Sequence, residues 1–228
     1  MTERRMGKLG YPCQMSKQMH RRQMQRLWPL YGLDLRYRDW SLRLPDWADL
    51  QILLPQREIE ITGSQTNSNI RHQEWALLQG EFQTLAHWLP QDWRLSLCIR
   101  YRQRPVGLQV LLRGENPCSV STDSWVAPRH RRQVHGFAAR LMVLDFAFTY
   151  LGAQYAISRS WENNIASNAL NQRLGYQLVA TTFSPGAIRE REWRLCLQTW
   201  RAGRHDGIEV LGLTDECREL LGVRTLGS

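Results

Sequence analysis

A strand-like run that meets a proline, a knot of arginines and then an amphipathic helix leaves a chain few folds to choose from, and residues 119–148 make up such a segment. Ser119 to Val126 reads as a strand, and Pro128 fits the loop after it, where its fixed φ costs nothing. Arg129, His130, Arg131, Arg132 and Gln133 follow. From Val134 onward the apolar positions 134, 137, 138, 141, 144 and 148 keep the spacing of a helix with one buried face. A loop that feeds a helix N-terminus meets free backbone N–H groups and the positive end of the helix dipole, which together favour an anion. Gly136, in the first turn, leaves room for that anion to approach the backbone. In isolation the same residues also describe a solvated basic helix start.

A second segment narrows the reading. Gln154 to Trp161 alternates around Tyr155, Ile157 and Arg159 as a short strand does, and Asn163 and Asn164 then offer N-cap chemistry. Ala166, Ala169, Leu170 and Leu174 fall on one helical face, and Gly175 is placed as a C-terminal stop. The order is strand, anion loop, helix, strand, helix, strand.

Val126, Pro128, Arg131 and Gly136 match the pattern V-x-P-x-x-R-x-x-G-x-G or A. Asn164, Ser167, Asn171, Gly175 and Tyr176 take the places of N-x-x-A-x-x-x-Y-x-x-x-G-F. In both motifs the chain resembles the GCN5-related N-acetyltransferases, the GNAT superfamily. The resemblance implies an α/β (α+β) fold with a mixed, mostly antiparallel central sheet flanked by helices. It implies transfer of an acyl group, most often acetyl, from acetyl-CoA or another acyl-CoA to a primary amine on a small molecule or protein, with no metal. On the same basis Trp125 and Val126 would meet the pantetheine arm, and Arg131, Arg132, Gln133, Val134, His135, Gly136 and Phe137 would hold the pyrophosphate. Asn164 would touch the arm from the other side.

Two positions depart from the pattern. Val134 stands where the first loop glycine is usual, adding a branched side chain where the phosphate comes close. Asn171 stands where many members have a tyrosine near the sulfur, and an amide is no general acid. Ser167, one turn into the second motif helix, is the candidate donor in its stead. For the general base the candidates are Asp123, on the strand, and Glu162, just before that helix. These departures also motivate a second reading, a GNAT-like module that binds without turning over.

Around these motifs, residues 1–55 read as a basic N-terminal extension punctuated by Pro29, Pro45 and Pro55, residues 56–202 as the acyl-CoA-binding domain, and 203–228 as a tail with a short helix near Asp215 to Leu221. Arg57 to Thr62 alternates like a first strand, and Ile70 to Leu89 reads as helical. Arg94 to Arg102, Val106 to Arg113 and Ser119 to Val126 form an antiparallel meander; Gln177 to Phe183 and Glu192 to Trp200 close the sheet around Ser184-Pro185-Gly186.

The net charge of +9 is unevenly spread: residues 1–43 carry ten Lys or Arg against three Asp or Glu, whereas residues 44–228 are close to neutral, with twenty against eighteen. Gln14 to Trp28 reads as a short basic helix, for which a solvated tail, a lid or docking arm, and a nucleic-acid contact all remain open. The ten tryptophans point to aromatic packing. Five cysteines without a CxxC pair argue against a zinc site or disulfide framework and for a reducing, cytoplasmic setting. The absence of a run of about 18 apolar residues excludes a transmembrane helix.

Overall fold

The computed structural model describes residues 17–62, 88–183, 189–203 and 206–223, with the side chains of 17–20 and 57–62 outside the description. Their centre is a nine-stranded sheet in the order β7-β8-β6-β5-β4-β3-β2-β1-β9. The strands are β1 (Asp34–Tyr37), β2 (Trp40–Arg43), β3 (Arg94–Tyr101), β4 (Arg104–Arg113), β5 (Ser119–Val126), β6 (Tyr155–Trp161), β7 (Gln177–Thr182), β8 (Glu190–Cys196) and β9 (Ile208–Leu211). All neighbours pair antiparallel except β5 with β6. The sheet is therefore mixed and mostly antiparallel, as the motif resemblance implies.

β3 and β4 are buried along almost their whole length because helices cover both faces. On one face α3 (His135–Tyr150) crosses strands from β1 to β6 and reaches β9. The spacing in the sequence promised this helix one buried face, but burial runs nearly all round it, from Ala138 to Leu144 and Phe146 to Phe148. Arg140 is buried as well, because it faces the sheet between β5 and β6. On the opposite face α2 (Trp47–Thr62) sets Leu53 against Cys98, Leu108 and Ala127.

α2 overturns the expected strand at Arg57 to Thr62. Asp46 and Asp49 cap its start reciprocally: Asp49 N–H donates to Asp46 Oδ1 at 2.9 Å, and Asp46 N–H to Asp49 Oδ2 at 3.1 Å. Leu50, Leu53 and Leu54 then bury one face, and the helix continues through Pro55 to Thr62. The expected helix at Ile70 to Leu89 lies outside the described residues up to residue 87, as does the Ser184-Pro185-Gly186 turn.

Segments of both expected appendages contribute strands to the sheet. β1 and β2 come from the N-terminal segment, and β2 pairs with β3, placing Trp40 opposite Tyr101. β9 comes from the C-terminal segment and pairs with β1, placing Asp34 opposite Leu211. The tryptophans lock this closure: Trp88 Nε1 donates to Leu220 O at 2.7 Å and Trp93 Nε1 to Leu221 O at 3.1 Å, at the end of α6 (Asp215–Leu220). The last expected strand also ends early, at Cys196, where α5 (Leu197–Ala202) begins. The basic helix is present as α1 (Lys17–Leu27), and its Arg21 reaches the carbonyls of Leu33 and Leu44.

Candidate functional site

The sheet opens between its two parallel strands. β5 and β6 pair only through Ser119–Ser121 and Tyr155–Ile157, although β5 runs on to Val126 and β6 to Trp161. Gly114 N–H donates to Ser119 O at 3.0 Å and Ala127 N–H to Val106 O at 2.9 Å, so residues 119 and 127 bond toward β4. By antiparallel alternation the backbone groups of Thr122, Ser124 and Val126 turn the other way, into the fork. Side chains take up two of these groups. Asp123 Oδ1 accepts from Ser124 N–H at 2.8 Å, and Arg131 Nε donates to Val126 O at 3.0 Å. An extended, amide-bearing ligand would find a strand edge here.

The loop after β5 supplies the other half of the site. Pro128–His130 make one 3-10 turn, and Arg132 takes a left-handed conformation, φ 58°, which costs a residue with a Cβ about 1–2 kcal/mol. The chain is thereby swung into the N-terminus of α3. No side chain caps this end, and its first helical bond is Ala138 N–H to Val134 O, so the N–H groups of His135, Gly136 and Phe137 have no partner within the helix. Gly136 and Phe137 border a cavity of about 680 Å³ between this loop, the end of β5 and α4 (Ile165–Arg173). Arg131, Arg132 and Arg173 stand along it, with the Arg173 guanidinium 4.2 Å from the centre of the Phe137 ring. On the far wall Asn164 caps α4, accepting from Ser167 N–H at 3.1 Å. Free amides, cations and a strand edge suit a phosphorylated ligand with a long amide arm.

Of the residues expected to hold a cofactor, Trp125, Val126, Arg131, Arg132, Gln133, Val134, Gly136, Phe137 and Asn164 border this cavity, as does Ser167. His135 does not. Its ring is 2% exposed and faces the sheet, where Nδ1 accepts from Trp40 Nε1 at 2.9 Å beside Tyr101 and His130. Burial, and then the charge of His130, lower its pKa. The side chain is an apolar-face anchor, because the first helical residue after the loop points down onto β2.

Asp123 lies on the other face of the sheet. It borders a second cavity of about 660 Å³, with Tyr155, Ile157, Arg159 and Arg194. Glu162 is held in ion pairs with Arg191 at 2.9 Å and Arg189 at 3.7 Å, which leaves Asp123 the freer of the two carboxylates. Asn171, where the motif places a phenol, is fully buried and turned from the cavity toward Arg140.

Three residues of the site escaped the sequence reading. Arg173 had a signal, because it continues the 166, 169, 170 face of α4 that lines the cavity. Arg140 had one too, as a lone arginine inside the apolar run 137–144. Ser124, whose hydroxyl borders the fork, had none.

With this geometry in place the comparisons are decisive. A family model for the acetyltransferase (GNAT) domain matches residues 34–177. The chain belongs to the GNAT acetyltransferases. Among solved structures, this GNAT chain is similar to RimJ of Mycobacterium smegmatis in complex with CoA-disulfide, at TM-score 0.60 and 16% identity over 80% of this chain and 97% of that one. It is similar to the microcin C7 self-immunity acetyltransferase MccE in complex with acetyl-CoA and AMP, at TM-score 0.54 and 13% identity over 69% and 92%. A spermidine N-acetyltransferase SpeG chimera from Vibrio cholerae and hSSAT gives TM-score 0.56 and 14% identity over 72% and 99%. At these identities the likeness to solved structures is one of fold. GNAT enzymes use acetyl-CoA and act on amine-bearing acceptors such as proteins or small molecules. Among the described residues no helix is long and apolar enough to cross a membrane.

Proposed function

We propose that this GNAT chain moves an acetyl group from acetyl-CoA to a primary amine of a small molecule or protein, by direct attack while both are bound. The observation that carries the reading is the fork between β5 and β6, with a cavity on each face of the sheet. The uncapped N–H groups of α3, with Arg131 and Arg132, hold the phosphates, and the β5 edge from Thr122 to Val126 aligns the pantetheine arm against Asn164 and Ser167. Acetyl-CoA supplies an activated thioester; the chain supplies its alignment with the amine, which contributes much of the rate. A backbone N–H facing into the fork polarises the carbonyl. Asp123, on the opposite face, accepts the proton that the amine loses.

A second reading has its own observation. The residue at the phenol position, Asn171, is buried away from the cavity, which favours a module that holds the coenzyme without transfer. Release of free thiol from acetyl-CoA, followed with a panel of polyamines, amino sugars and peptide N-termini, separates the two. Amine-dependent release supports the transferase; saturable binding with no release across the panel supports the module.

A further inference from the structure

Arg140 is 2% exposed in the second turn of α3, and it spans the fork. Its Nη2 donates to Ser124 Oγ on β5 at 2.7 Å, and its Nη1 to Ser158 Oγ on β6 at 3.2 Å, with Asn171 Oδ1 of α4 at 3.5 Å. Every one of these partners is uncharged. The buried Tyr176 hydroxyl, 3.3 Å from Thr122 Oγ1, is the titratable group that shares this pocket. Among the described residues no carboxylate pairs with Arg140: Asp123 lies on the other face, and Glu162 is taken by Arg189 and Arg191. Arg140 Nε and Asn171 Nδ2 are buried and lack any hydrogen-bond partner.

A buried guanidinium without a counter-ion and with one N–H unused is a costly arrangement unless negative charge arrives during function. Ser124 shows where it would arrive. Its Oγ accepts from Arg140, so its own O–H is left to point elsewhere, and the residue borders the donor cavity. The charge therefore stands behind a hydroxyl at the inner end of that cavity, beside the place where the motif's phenol is missing.

We propose that Arg140 is a positioning residue that, through Ser124, directs a hydroxyl donor and a fixed positive charge at the coenzyme sulfur, stabilising the thiolate that leaves. In this step the amine nitrogen forms the C–N bond, the C–S bond breaks with its electron pair on sulfur, and the proton lost by nitrogen passes to Asp123. Ser124 gives the sulfur a hydrogen bond and keeps its proton. The proposal rests on reading the cleft as an acyl-CoA site.

The test needs no acceptor. The thiol of coenzyme A bound to the full chain is titrated by the ultraviolet absorbance of its thiolate, and affinity is measured by calorimetry in parallel. A nearby cation lowers a thiol pKa, so the bound thiol titrates about 1–3 units below free coenzyme A. Arg140→Met, unbranched and apolar, abolishes that shift while coenzyme A affinity at a pH where the thiol is protonated stays within about twofold; Arg140→Lys restores part of it. Should Arg140→Met not fold, Ser124→Ala decides, with loss of part of the shift. An unshifted thiol in the unaltered chain, or the same shift in the unaltered chain and in the variants that fold, overturns the role of Arg140. Failure of the unaltered chain to bind coenzyme A at all overturns the acyl-CoA site itself, a distinguishable result.

Discussion

At the scale of single residues, Gly136 and His135 sit side by side at the head of α3 and do opposite work. A Cβ built on Gly136 would meet only Val126 Cγ2, at 3.7 Å, so packing does not demand a glycine there; the space beside it belongs to the cavity. Gly136→Ala therefore leaves thermal stability unchanged or raised by up to about 1 kcal/mol, as helix propensity favours alanine. The same change weakens acetyl-CoA binding about tenfold or more, read by calorimetry. The His135 ring faces the core, and its lowered pKa makes the neutral form the folded one. Its Nδ1 is the acceptor for Trp40, and protonation would end that bond beside the positive end of a helix. The unfolded chain binds the proton more readily, so the stability His135 contributes is present above about pH 6.5 and is lost as pH falls through the lower folded value. Melting curves between pH 7.5 and 5.5 should show the unaltered chain losing more stability than His135→Gln. Sequence reasoning placed both residues in one loop. It was wrong about the His135 side chain, because helical phase at the first turn cannot be set until the partner face is known.

Among elements, the strand read at Arg57 to Thr62 became the end of a helix. The I-E-I-T alternation there is real, but the capping pair Asp46 and Asp49 and the buried Leu50, Leu53 and Leu54 launch a helix upstream that carries through it. Local period lost to a nucleus already formed. The C-terminal segment was misread for a different reason: β9 is only four residues long, and a strand that short declares itself only by its partner, β1. It carries Cys217 and Leu221 with it into the core, both fully buried. A chain ending at residue 205 loses these side chains, Leu221 alone worth about 1.5–3 kcal/mol, and leaves β1 as a bare edge. It should melt well below the full chain or fail to fold, measured by circular dichroism; an unchanged melting temperature would restore the segment to the status of a tail. The motif helices and the strands from Arg94 to Trp161, by contrast, were legible, since each is long enough to fix its own period.

For the molecule as a whole, most residues that the motifs singled out border one cavity, and the fold explains why. The loop after β5, α3 and α4 are contiguous in sequence around one strand, so local spacing encodes their geometry. The cavity on the opposite face is assembled across the sheet from β4, β5, β6 and β8, and only Asp123 of its lining had been singled out as a site residue. Arg140 lies between the two cavities: its place in an apolar run marks it in the sequence, but its partners are visible only where β5 and β6 part. On the function proposed above, the cavity at the head of α3 holds acetyl-CoA through uncapped helix N–H groups and neighbouring arginines. Calorimetric titration of acetyl-CoA into the full chain tests it. Saturable one-to-one binding that weakens with added salt, and falls at least about tenfold in Arg131→Glu, is the predicted result. No heat up to millimolar acetyl-CoA, or binding indifferent to both salt and Arg131→Glu, would contradict it.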